Sequence, residues 1–192
     1  MQNAARLTVS WPATALALVC LALAALPDVN GLAFDREAIL GGEVWRLWTG
    51  HWVHFSNQQL LLDISTLVLA AAVAQREFGP LFITRVLALG MPAISLGLLL
   101  LAPELAYYRG ASGVVMMLAF AAGGAFWSRR PALRAFLVML ALVVAAKAIL
   151  DAAGFATGIS GLPVGVQVAW QAHVLGAGIG WASARLKLKN LQ

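Results

Sequence analysis

The chain has little charge and almost no cysteine. Only 11% of its 192 residues are Asp, Glu, Lys or Arg, against 61% hydrophobic residues, and the mean hydropathy is +0.85. A soluble domain carries roughly 25% charged residues, so this composition excludes an ordinary water-soluble fold and points to a polytopic membrane protein. The lone cysteine, Cys20, excludes an intrachain disulfide and leaves the redox compartment unread. It is also a poor lipoprotein acylation site, because Val19 stands where a small residue is expected. The net charge of +5 is not gathered into a basic stripe with interleaved aromatics, so nucleic acid is not indicated as a partner.

What is present is a series of apolar runs. A helix needs roughly 20 apolar residues to cross the hydrocarbon core. Six spans are expected, at about 11–27, 57–75, 81–102, 111–127, 131–150 and 165–185, in a single domain over residues 1–192. Pro12, Pro80 and Pro131 fall near span starts, where proline is tolerated. Pro92 lies mid-span and predicts a kink. The first run also fits a signal peptide, with Arg6 before it and Ala24 and Ala25 near its end; five later spans favour an uncleaved first helix.

Charge orients the spans. Arg6, Arg76, Arg85, Arg129, Arg130, Arg134, Arg185, Lys187 and Lys189 fall on one side, nine of the thirteen basic residues. By the positive-inside rule that side is cytoplasmic, and so are both termini. The other side holds Arg36, Arg46 and Arg109 among the acids Asp28, Asp35, Glu37, Glu43, Glu104 and Asp151. Lys147 stands four residues before Asp151 near the outer end of the fifth span, the spacing of a snorkelling lysine with an i,i+4 partner.

Two polar residues stand out against this background. Ser112, in Gly110-Ala111-Ser112-Gly113, opens the fourth span, and His173 lies inside the sixth. Such residues are expensive to keep in a bilayer unless they act, and histidine is the usual base for a serine nucleophile. Ser112 precedes Arg129 by 17 residues, about 25 Å of helix, and His173 precedes Arg185 by 12, about 18 Å. Both therefore sit recessed below the outer surface, at depths that tilt and side-chain reach can reconcile. His173, Gly176, Gly180 and Ala184 form one stripe, with a G-x-x-x-G that permits close backbone approach. Ser112, Met116, Ala119 and Gly123 form the expected facing stripe. Gly158-Ile159-Ser160-Gly161 repeats the four-residue pattern, but Ser160 precedes Pro163 and starts no long apolar helix, so it is assigned to a turn.

The pattern resembles the rhomboid intramembrane serine proteases. Trp45-Arg46-Leu47-Trp48-Thr49 and His54-Phe55-Ser56 are similar to the family's first outer loop, Gly79 follows the second span, Gly110-Ala111-Ser112-Gly113 resembles the nucleophile motif, and His173 with Gly176 and Gly180 resembles the histidine helix. The resemblance covers roughly residues 43 to 185. It implies an all-α six-transmembrane-helix bundle, a cavity open to the outer face, a Ser112–His173 dyad, and hydrolysis of a transmembrane protein substrate in the lipid bilayer. It calls for no cofactor. Where most rhomboids carry His and Asn as oxyanion donors, this chain has Gln59 and Asp63. The Gln59 amide can donate to an oxyanion, with the Ser112 N–H as a further donor and Gly110 beside it. Three roles are open to Asp63: a protonated oxyanion donor, a carboxylate orienting His173, or a structural acid bonded to another helix. Met116 stands where many rhomboids place Tyr.

Compactness and an acid at position 63 resemble the rhombosortase branch. That branch implies a bacterial inner membrane and substrates with a C-terminal Gly-Gly, an apolar helix and a basic tail; an accessory protein stays open. The altered Gln59 and Asp63 are the best support for an alternative, a catalytically inactive binder of transmembrane clients, against which stands the retained Ser112 and His173 pair. A small transporter, with Asp63, His173 and Lys147 as a proton relay, lacks any inverted repeat. His51 and His54 form an H-x-x-H that would need a third ligand to hold zinc, and Asp63 and His173 are not expected within reach. His54, Trp45, Arg46, Trp48 and Trp52 are instead expected to anchor an interfacial loop.

Overall fold

A computed structural model describes residues 9–153, 155, 166 and 168–189. Arg6, the second G-x-S-G motif around Ser160, and the expected start of the last span at 165 lie outside the described residues. Each of the six apolar runs contains a long helix: α1 Trp11–Ala24, α4 Asn57–Phe78, α5 Pro80–Leu101, α6 Ser112–Arg129, α7 Arg134–Ala152 and α8 Trp170–Lys189. Two short helices, α2 Arg36–Leu40 and α3 Arg46–Thr49, lie between α1 and α4. Among the described residues, three segments are by length and composition long and apolar enough to cross a membrane: α4, α5, and the stretch Pro131–Ala152 that contains α7.

Local chemistry sets the helix ends. Ser56 caps α4, its hydroxyl accepting the Gln59 N–H at 3.1 Å. Gly79 ends α4 at φ +83, a left-handed conformation that only glycine adopts without strain, and Pro80 at once begins α5. The last turn of α5 leaves carbonyls without helical partners. Arg36 gathers that end of the helix, donating to Leu98 O and Leu99 O in the last turn and to Ala102 O and Leu105 O just beyond it, at 2.6–3.2 Å. α5 runs through Pro92 as one helix.

The connection after α1 folds over the same end of the bundle. Its strand β1 (Phe34–Asp35) pairs antiparallel with β2 (Tyr107–Tyr108), just ahead of α6. Arg46 is buried there, ion-paired to Glu43 at 2.6 Å and donating to Asn30 O and Ala33 O. The expectation of Arg46 as an interfacial anchor is therefore corrected: it holds a loop together from inside. Trp48 binds Ala88 O on α5 through its indole N–H at 2.8 Å and stays partly exposed, as does Trp45.

The core sits between α4, α5, α6 and α8, with α1 packed on α4 and α5. The closest approach is α6 on α8. A Cβ on Gly176 would lie 2.0 Å from Gly113 O, and one on Gly180 would lie 1.9 Å from Met117 O. The α8 stripe is thus the one expected. On α6 the facing residues are Gly113, Met117 and Gly124, one register from the expected Met116, Ala119 and Gly123; Ala119 is exposed. The reason is that Ser112 does not lie in the seam. Its neighbour Gly113 does, which turns the serine toward the cavity beside it.

The ends of α6 and α8 match. Arg185 donates to Ser128 Oγ at 3.2 Å, so the two basic termini lie side by side. Arg129 and Arg130 both pair with Glu77 at the end of α4. The polar loops and both motif residues gather at the opposite end.

Candidate active site

Ser112 is the first residue of α6, and His173 lies one turn into α8. The glycine seam sets their separation: His173 Nε2 is 2.8 Å from Ser112 Oγ. At that distance the Ser112 hydroxyl donates to Nε2 when the imidazole carries its proton on Nδ1, the arrangement a serine nucleophile and its base require. Both line a cavity of about 1050 Å³, together with Gln59, Asp63, Met116 and Lys147.

The loop before Ser112 is tightly specified. Gly110 has φ +130, and a Cβ there would come within 2.5 Å of Gln59 Nε2 and 3.1 Å of Asp63 Oδ2. Only glycine fits. Tyr108 donates its hydroxyl to Gly110 O at 2.6 Å, and burial pushes the phenol pKa up, so the ring keeps the proton it donates. The first turn of α6 leaves the Ser112 and Gly113 N–H groups without helical partners and adds the positive end of the helix dipole. An anion forming at a carbonyl attacked by Ser112 would meet these donors.

Gln59 is fixed at both ends. Its side-chain oxygen accepts the Phe55 N–H at 2.8 Å, which orients the amide, and Nε2 donates to Arg109 O at 3.0 Å. An amide has two N–H donors, so one remains for a ligand. Asp63 directs Oδ2 to the Ala111 N–H at 2.8 Å and to His54 Nε2 at 3.2 Å. Neither partner is His173, so the hydrogen bonds of Asp63 do not make a triad.

The H-x-x-H pair divides. His54 reaches Asp63, contrary to expectation, and is buried rather than interfacial. His51 turns the other way, Nε2 lying 3.1 Å from both Met91 O and Ser95 Oγ. Ser95 spends its only hydrogen on Leu47 O, so it accepts from His51, and Nε2 carries the proton. Burial lowers the His51 pKa to about 4. Among the described residues no three His, Cys, Asp or Glu side chains gather as a metal site.

His51, His54 and Lys147, weighed in the sequence as a zinc pair and a proton relay, belong to this end of the molecule, and so does Tyr108, which the sequence reading did not single out. Tyr108, four residues before Ser112 and one of only two tyrosines, offered the clearest sequence signal. Lys147 lies in the cavity wall, and its ammonium pairs with Asp151 at 2.6 Å, the expected i,i+4 contact. Met116 lines the same cavity.

No curated protein matches the chain closely. The family model described as the Rhomboid domain matches residues 41–190, from the loop ahead of Trp45 through the end of α8. That match spans the serine, the histidine and the glycine seam between them, and by it the chain belongs to the rhomboid family of intramembrane proteases.

Proposed function

We propose that the protein is an intramembrane serine endopeptidase acting through a Ser112–His173 dyad. The observation that carries this reading is the 2.8 Å contact between Ser112 Oγ and His173 Nε2 on the wall of a large cavity. His173 takes the Ser112 proton as the hydroxyl attacks the scissile carbonyl. The Ser112 N–H and the spare Gln59 N–H hold the oxyanion. His173 then protonates the leaving amine, and a water, deprotonated by the same ring, hydrolyses the acyl-enzyme. No metal or cofactor enters these steps.

In this reading all six long helices span the bilayer as one domain over residues 1–192, with the basic ends of α4, α6 and α8 and both termini in the cytoplasm. The cavity opens to the periplasmic side of a bacterial inner membrane, where hydrolytic water is available. The substrate is a membrane-anchored protein, and the acid at position 63 favours a rhombosortase-like substrate ending in Gly-Gly, an apolar helix and a basic tail. A non-catalytic binder of transmembrane clients is favoured only by the exchange of His and Asn for Gln59 and Asp63. A binder has no use for a serine hydrogen-bonded to a base.

The test is co-expression with a Gly-Gly reporter, beside labelling by a serine-reactive fluorophosphonate. Tail removal and labelling should both vanish in Ser112→Ala, and tail removal should vanish in His173→Ala, while the variants still fold. Full cleavage in either variant sinks the proposal. Labelling without cleavage would keep the protease and discard the Gly-Gly substrate.

A further inference from the structure

We infer that His54 is a positioning residue for the Ser112 nucleophile, acting through Asp63. The inference rests on the protease reading above and adds a residue that reading does not use. The chain of contacts is short. His54 Nε2 lies 3.2 Å from Asp63 Oδ2, and the same oxygen accepts the Ala111 N–H at 2.8 Å. Ala111 is the residue before the serine and the N-cap of α6. The side chains of His54 and Asp63 are 3% and 10% exposed. Asp63 acts here as a carboxylate that accepts both N–H groups on one oxygen, with His54 donating from Nε2; this assignment is part of the inference.

Such a carboxylate cannot give a hydrogen bond to an oxyanion. Its work is to hold the backbone on which Ser112 and its N–H are mounted. Gly110, held at φ +130 and closed off by Asp63 Oδ2 at 3.1 Å from its would-be Cβ, lets the loop come close enough for that grip. His54 makes the grip tolerable. Without its donor, a buried negative charge would keep one peptide N–H as its partner and face the cavity where a second negative charge develops. His54 also borders a smaller cavity of about 170 Å³, lined as well by Cys20, Ser56 and Asn57. Nδ1 has no protein partner among the described residues.

The test is a double-mutant cycle on the full chain in proteoliposomes, with the rate of fluorophosphonate labelling as readout and thermal unfolding alongside. His54→Ala should slow labelling about tenfold when Asp63 is present. It should slow labelling less than about threefold in the Asp63→Asn background, where the amide oxygen still accepts the Ala111 N–H and no charge needs a partner. His54→Gln, which keeps an N–H donor, should restore most of the rate. His54→Phe replaces His54→Ala if truncation unfolds the chain. Equal slowing in both backgrounds, no rescue by His54→Gln, or a loss matched by the loss of folded protein would each overturn the inference. Labelling that survives Ser112→Ala would overturn the protease reading and this inference with it. Labelling that needs Ser112 but shows no His54–Asp63 coupling overturns the inference alone.

Discussion

α6 meets α8 backbone against backbone, while α7 touches its neighbours only lightly and buries one side chain, Asp151. α6 and α7 are a few residues apart in sequence and similar in hydrophobic content, yet they serve opposite ends. Between α6 and α8, Gly113, Gly176 and Gly180 remove every side chain that would hold the helices apart. In lipid there is little hydrophobic force to bring helices together, so close van der Waals contact must do it. The result is a fixed separation where Ser112 must meet His173. α7 presents Phe136, Met139, Leu142, Val143 and Ile149 outward, and among the described residues no glycine seam locks it to a neighbour.

The most direct way to break the contrast is to add one carbon at the seam. Gly180→Ala places a Cβ 1.9 Å from Met117 O, closer than any real contact, so α8 must shift or unfold. We expect a loss of at least about 3 kcal/mol of stability, as for a severe overpacking, and loss of labelling at Ser112 in whatever remains folded. Thermal unfolding and fluorophosphonate labelling in detergent check both; a stable, fully labelled variant would mean the seam does not set the dyad.

A smaller effect follows from the loop over the same end. His51 is buried with its pKa lowered to about 4 and packs edge-on against Tyr108, 5.3 Å between centroids. An unfolded histidine titrates near 6.5. Between these values the unfolded chain binds a proton that the folded chain refuses, so stability falls as pH falls through 6.5 toward 4 and is unaffected above 6.5. The loss should approach about 3 kcal/mol at pH 4. Unfolding curves of wild type and His51→Gln across pH 4–8 isolate it, and parallel curves would show that His51 carries none of the pH dependence.

The seam was half legible in the sequence. The α8 stripe was readable because Gly176 and Gly180 repeat at one helical period. The α6 stripe was read one residue off, because a functional serine was taken to lie in the packing face when its neighbour Gly113 does. The helices themselves were legible because apolar runs of that length bounded by proline, glycine and arginine have few other options in a membrane. The contacts of His54 and Arg36 were not. His54 and Asp63 are joined across a loop and a helix start, and Arg36 reaches carbonyls more than sixty residues away, so no periodicity relates them. The H-x-x-H spacing does not say where either ring points, and the backbone turns the two rings in different directions. Arg46 looked like an interfacial cation because its carbonyl partners leave no trace in side-chain identity.

Within α7 the contrast can be sharpened on one helix. Lys147→Met removes the partner of Asp151, whose side chain is fully buried, and an uncompensated buried charge should cost about 2–4 kcal/mol. Leu142→Ala, about two and a half turns from Asp151 and 65% exposed, should cost less than about 0.5 kcal/mol. Deleting its methyl groups removes contact with lipid tails, which are as apolar as leucine and flow into the space, so no cavity is left. Denaturant titrations in the same bicelles compare the two substitutions directly. A large loss for Leu142→Ala would mean that this face is covered by protein, as it would be if a second copy or a client helix packs there, and α7 would then have to be counted with the seam it now contrasts with.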